Sequence, residues 1–288
     1  MRYKLKYVDG NYDSTDAIHL DLGNILHKVL ELKYRNIIDN IENDYEYLRT
    51  VLLEGIAEDT EKDKGNFLMG VNGIKDKFGE QSFFEINAKS GLSYTDKLNT
   101  FYTYLETDQL DDDWQPLAVE LDFNVPFEDR ITLNGFIDRI DINKNGELRV
   151  VDYKSSNKVF DDKDLKTPLQ MVVYALACQE IYGKIPVEYQ YDMVLLGEKQ
   201  LACSKGYLNR GIKKLHKVID EIEECERTGV WKPKATPLCH WCDFSMTNPN
   251  GMFHQQELCD YYCLWTPTNK TFEKNKEFVE NIFEEFEF

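Results

Sequence analysis

Two alternating runs joined by Asn143-Lys144-Asn145-Gly146 mark the middle of this chain as a β-hairpin. Residues 131–142 (ITLNGFIDRIDI) and 147–154 (ELRVVDYK) change polarity with period two, and Asn-Gly readily takes the positive φ of a tight turn. The same period puts Asp152 and Lys154 on one face of the second strand and Tyr153 on the other. Folding about the turn brings Asp138 close to Asp152. Like charges on adjacent strands are unfavourable unless something neutralises them. A divalent cation does so, and magnesium accepts one or two carboxylates, several waters and a backbone carbonyl such as that of Tyr153. A lysine beside such an ion can orient or deprotonate an attacking water. Asp-x-Lys alone reads as a surface salt bridge, but Val150, Val151, Phe136, Ile137 and Ile140 surround these carboxylates with apolar side chains. Asp141, three residues from Asp138, faces the other way and is assigned no metal role.

The remaining pattern flanks this hairpin with helices. Ile18, Leu22, Ile25, Leu26, Val29, Leu30 and Leu32 predict a helix over 15–40. A second helix is expected over 41–58, mixed structure over 60–92, and a short helix over 96–106 before an acidic loop. Residues 116–126 alternate as a strand. Helices are expected over 165–182 and 205–227, with a strand at 187–196 between them and an acidic helix from about 274. Helices, three strands, helix, strand, helix is the order of an α/β chain with a mixed sheet between helices.

Composition narrows the class. The 288 residues carry 34 Lys+Arg against 52 Asp+Glu, a net charge of −18, so the surface as a whole repels polyanions. The 17 Tyr and 16 Phe argue against a largely disordered chain. The longest apolar run, 171–178, is far below the roughly 18 residues of a membrane helix, so no membrane association is expected. No secretory signal is read in the first residues, and the expected setting is a reducing cytoplasm. Arg139, Lys154, Lys158, Lys163 and Lys166 lie near the paired carboxylates and are expected to form a local positive channel.

Gly135 to Asp141 (GFIDRID), Val151-Asp152-Tyr153-Lys154 and Gln170-Met171-Val172-Val173-Tyr174 resemble motifs of the PD-(D/E)XK nuclease superfamily, in particular its RecB-type branch of helicase-associated and CRISPR-adaptation nucleases. Gln170 and Tyr174 share a helix face at i, i+4. The segment 23–31 (GNILHKVLE) resembles the branch's helix with a metal-binding histidine, which matches His27. Glu120 matches an acidic position before the hairpin and is expected to play a supporting role. The resemblance implies a restriction-endonuclease-like mixed central sheet flanked by helices. Its parts would be an N-terminal helical region over 1–110, a nuclease core over 111–230 and a Cys-rich tail over 231–288. It also implies Mg²⁺ or Mn²⁺ held by His27, Asp138, Asp152 and Tyr153, with Lys154, Gln170 and Tyr174 completing the catalytic set.

Of seven cysteines, Cys239, Cys242, Cys259 and Cys263 crowd into the last fifty residues. Their C-x2-C-x16-C-x3-C spacing suits a tetrahedral zinc site. The family resemblance adds a second reading, a [4Fe-4S] cluster, for which the usual N-terminal cysteine would have to precede Met1. Three functions follow. The first is a metal-dependent DNA exonuclease of recombination, repair, phage DNA metabolism or CRISPR adaptation, working with a helicase, recombinase or CRISPR partner. The second is a catalytically idle DNA- or protein-binding module. The third is a zinc-binding scaffold. The intact Asp138, Asp152 and Lys154 favour the first.

Overall fold

Helix α1 (Ile18–Ile38) is built on Leu22, Ile25, Leu26, Val29 and Leu30, whose 3–4-residue spacing lines one face and buries all five. In the computed structural model, this face joins α2 (Tyr45–Glu54), α3 (Val71–Phe78) and α4 (Tyr94–Thr107) in one core, which closes on Val151 and Tyr153 of the central sheet. The structure describes residues 3–10, 17–57, 66–88, 90–107, 110, 113–128, 130–156, 158–166, 168–202, 206–231, 242 and 244. A small antiparallel ribbon, β1 (Gly55–Ala57) with β2 (Phe67–Met69), follows α2.

The central sheet has five strands in sequence order: β3 (Trp114–Phe127), β4 (Ile131–Asn143), β5 (Leu148–Lys154), β6 (Glu188–Met193) and β7 (Glu198–Ala202). All neighbours run antiparallel except β5 and β6, which are parallel. That pair is bridged by α5 (Asp162–Lys166) and α6 (Leu169–Tyr182), as a parallel pair needs a crossover. Met171, Val172, Ala175 and Cys178 are buried along α6, and the Tyr174 ring meets Phe123 of β3 edge-on at 6.2 Å. The last helix, α7 (Tyr207–Thr228), passes so close to α6 that a Cβ on Gly211 would stand 2.2 Å from Val172 Cγ2. The mixed sheet between helices is the α/β, restriction-endonuclease-like architecture expected from the sequence.

Residues 16–218 form one compact unit, and residues 1–15 with 219–288 a second. Within the second, a π-helical turn spans Lys4–Val8 and Tyr3 stacks on Trp231 at 5.7 Å. The expected acidic helix from 274 lies outside the described residues.

Three expectations are corrected. The helix expected to 58 stops at Glu54, because Gly55 takes φ +90 and starts β1. The helix expected over 165–182 is two helices, since Pro168 sits with extended backbone (ψ 119) just before α6. Strand β7 has no counterpart among the expected elements; Glu198-Lys199-Gln200-Leu201-Ala202 buries only its last residue and shows no apolar alternation.

Candidate active site

Register aligns three carboxylates across three strands. The pairs Val119–Arg139 and Leu121–Ile137 bracket Glu120 opposite Asp138. On the other side, Arg139–Val151 is the pair next to Asp138 and Asp152. Asp138 and Asp152 are buried, and the Tyr153 amide donates to Asp138 Oδ2 at 2.7 Å. A charge-assisted bond of this kind is worth about 1.5–3 kcal/mol and fixes the carboxylate's orientation. Glu120 takes φ +43 inside the strand, a left-handed conformation that costs a non-glycine residue about 1–2 kcal/mol.

His27 reaches this row from α1. One turn earlier, Gly23 passes so near β5 that an added Cβ would lie 3.2 Å from Ser155 Oγ. The imidazole packs edge-on against the Tyr153 ring at 5.9 Å, and its Nδ1 stands 3.7 Å from both Glu120 Oε1 and Asp138 Oδ1. His27, Glu120 and Asp138 each offer a ligand atom within 4.8 Å of the others. An imidazole nitrogen with carboxylate oxygens is a donor set that suits Mn²⁺ and, with waters, Mg²⁺.

Asp152 belongs to a second constellation. Its Oδ2 lies 2.5 Å from the Lys154 ammonium, and its Oδ1 accepts from the Tyr174 hydroxyl at 3.3 Å. Lys154 donates to Gln170 Oε1 at 3.2 Å, and Gln170 Nε2 donates to the Tyr174 oxygen at 2.8 Å. Four side chains from one strand and one helix thus form a closed ring. The Lys154 ammonium also sits over the Tyr191 ring at 5.6 Å.

Electrostatics follow from packing these groups together. Burial, reinforced by the charges of Asp152 and Glu120, pushes the Asp138 carboxyl up to about 7, against the opposing pull of His27 and the Tyr153 amide. Burial also raises Asp152, opposed chiefly by Lys154. For His27, burial alone would favour the neutral ring; Glu120 and the charges of Asp138 and Asp152 outweigh it and raise the pKa. The site therefore holds more negative charge than its own cations balance, and an added divalent cation fits it.

The opposite face of the hairpin carries a different chemistry. Arg139 is buried, donates to the Tyr153 hydroxyl at 2.9 Å, lies 4.1 Å over the Tyr34 ring and pairs with Asp141 at 2.9 Å. Arg149 holds the same Asp141 at 2.7 Å, and Tyr104 donates to Asp192 at 2.6 Å. The assignment of Arg139 to a surface channel is corrected: its odd position in β4 turns it to the α1 side of the sheet, buried against Tyr34, Tyr153 and Asp141. Asp141 faces away from Asp138, as the alternation requires.

His27, Glu120, Asp138, Asp152, Tyr153, Lys154, Gln170 and Tyr174 all come together at this end of the sheet. Cys239, Cys259 and Cys263 lie outside the described residues; Cys242 is half-buried. Sequence reasoning gives Glu120 less than its position warrants. Only the β3–β4 register reveals it as the third member of the row, and the connection at 128–130 has no Asn-Gly signature to fix that register.

A mixed sheet bearing this row and ring defines a class, and comparison with known families agrees. The chain belongs to the PD-(D/E)XK nuclease superfamily, whose family model matches residues 1–247. It is 30% identical over 143 residues to the Gene 69 protein of Mycobacterium phage L5, covering 46% of this chain and 44% of that protein. It is 30% identical over 200 residues to an ATP-dependent helicase/deoxyribonuclease subunit of Streptococcus agalactiae, covering 65% of this chain and 16% of that protein. The protein of the same name from Streptococcus uberis is 47% identical over 45 residues, 16% of this chain and 4% of its own length. The chain spans less than half the length of each of these relatives. The name of the two streptococcal relatives agrees with the RecB-type resemblance.

Proposed function

We propose that this chain is a divalent-metal-dependent deoxyribonuclease that hydrolyses phosphodiester bonds, as an exonuclease on single strands or duplex ends. The observation that carries the reading is the row of half-buried Glu120 and buried Asp138 and Asp152 beside His27, with Lys154 fixed against Asp152. In this reading His27, Asp138, Asp152 and the Tyr153 carbonyl hold Mg²⁺ or Mn²⁺, and Glu120 joins them or supports His27. A metal bound there would polarise the phosphoryl oxygen and lower the pKa of its water. Lys154 positions that water and offsets charge on the phosphate, while Gln170 and Tyr174 hold the lysine and Asp152 in place. The setting would be recombination, repair, phage DNA metabolism or CRISPR adaptation, with a helicase, recombinase or CRISPR protein as partner. No described helix is long and apolar enough to cross a membrane.

In the same reading residues 1–110 carry the histidine helix, 111–230 the nuclease core and 231–288 a tail with a structural zinc or [4Fe-4S] centre at Cys239, Cys242, Cys259 and Cys263. The support for the tail is its thiolate spacing. Absorbance near 400 nm with iron and sulfide analysis identifies the cluster; stoichiometric zinc in colourless protein identifies the other.

The deciding experiment is digestion of end-labelled single- and double-stranded DNA with and without Mn²⁺. Metal-stimulated release from the ends by wild type, absent in folded Asp152→Ala and Lys154→Ala, is expected. Wild-type-like digestion by either variant overturns the assignment.

A further inference from the structure

The protein carries a net charge of −18, so a DNA strand can approach only where cations stand clear of acids. Over much of the described surface they do not: Lys4 faces Asp9, Lys28 faces Glu31, Lys77 faces Asp21, and Lys144 faces Asp113. Lys158, Lys166, Lys213 and Lys214 differ. All four are exposed, and among the described residues no carboxylate pairs with any of them.

These lysines lie along one route from the candidate site. Lys158 is in the loop leaving Lys154, and that loop is pinned where Phe160 packs on Tyr191 at 4.7 Å, the ring under the Lys154 ammonium. The loop runs on into α5, which ends at Lys166. The carbonyl of Lys166 lies 3.5 Å from Arg210 Nη2 on α7. The next residue of α7, Gly211, packs against Val172 in the first turn of α6, the turn that presents Gln170. Along α7, Tyr207, Gly211 and Leu215 turn inward, and Lys213 and Lys214 are exposed. After residue 217 the helix sequence becomes acidic, with Asp220, Glu221, Glu223, Glu224 and Glu226.

We propose that Lys158, Lys166, Lys213 and Lys214 form a track for the phosphate backbone of a DNA strand leading to Lys154. The inference rests on the nuclease reading and adds to it a direction: the strand leaves the site along the first half of α7 and departs before the acidic half. Lysines bind phosphates as point charges, so the track is sequence-independent and salt-sensitive. It also needs no generally basic surface.

The test is direct binding of a fluorescein-labelled thymidine oligonucleotide, read by anisotropy in metal-free buffer across about 50–200 mM KCl. Lys213→Glu/Lys214→Glu is compared with Lys144→Glu/Lys184→Glu, which makes the same change in net charge at the Asn143–Gly146 end of the hairpin. The α7 pair is expected to lose at least tenfold in affinity and to flatten the slope of log K against log [KCl] by about 1.4 or more, two phosphate contacts at about 0.7 each. The hairpin pair is expected to bind within about twofold of wild type. Equal losses in both pairs, or none in the α7 pair, overturn the track while wild-type digestion leaves the nuclease reading standing. Wild type that neither binds nor digests DNA overturns both.

Discussion

The Tyr174 hydroxyl donates to Asp152 Oδ1 at 3.3 Å and so ties α6 to the β5 carboxylate that also faces Lys154. The same oxygen accepts from Gln170, so one phenol serves two neighbours and holds the ring closed. Burial and the adjacent Asp152 charge raise the pKa of this hydroxyl, which keeps it a donor throughout the working pH range. Tyr174→Phe should leave folding intact and lower kcat about five- to thirty-fold, the worth of about 1–2 kcal/mol of lost hydrogen bonding. Single-turnover digestion under saturating Mn²⁺ measures this.

Lys154 contributes more. Lys154→Met removes the cation beside Asp152 and, in the proposed function, the group that would handle the water's proton. A rate loss of about 10²–10⁴-fold is expected, with near-native circular dichroism. Lys154→Arg should not restore activity, because the planar guanidinium cannot replace a point charge between Asp152 and Gln170.

Metal binding should appear as stability. Mn²⁺ at about a hundred times its Kd should stabilise wild type by about 2.7 kcal/mol, read as a rise in Tm by differential scanning fluorimetry. His27→Ala and Asp138→Asn should lose most of this rise. An undiminished rise in both would show that the ion binds elsewhere.

The metal-free protein should be less stable at pH 8 than at pH 5.5. Asp138 titrates near 7 in the folded state against 3.8 when unperturbed, so the folded chain holds the extra proton between those values. Its contribution is fully present below about pH 4 and is lost as pH rises through about 7. The raised pKa values of His27 and Asp152 act in the same direction. Urea midpoints across this range should fall less steeply for Asp138→Asn, which resembles the protonated acid.

Arg139→Met should destabilise the fold by about 3–5 kcal/mol, since it removes one partner from a buried ion pair and leaves the Tyr153 hydroxyl without its guanidinium. Equilibrium urea unfolding gives the value. A change below about 1 kcal/mol would mean that Arg149 alone satisfies Asp141.

Legibility in the sequence tracks the strength of local signals. The Asn-Gly turn and strict alternation place Asp138 against Asp152, and the i, i+4 spacing puts Gln170 and Tyr174 on one helix face. The helix ends are less legible because Gly55 and Pro168 interrupt otherwise helical patterns. Strand β7 is silent because an edge strand with one buried residue needs no apolar alternation. Arg139 is misread for want of its partners: a buried arginine and a DNA-facing one look alike until Tyr34, Asp141 and Tyr153 are seen around it.

The two faces of β4 also guard the chain against misassembly. A shift of one residue in the β4–β5 pairing would carry Asp138 to the side lined by Tyr34 and Tyr153, and would turn Arg139 toward the carboxylate row. Asp138 would then lose the Tyr153 amide, and Arg139 the Tyr34 ring and the Tyr153 hydroxyl, so the slipped hairpin forfeits both sets of partners. The alternation that aims the candidate-site groups therefore also disfavours a slipped assembly of the sheet that carries them.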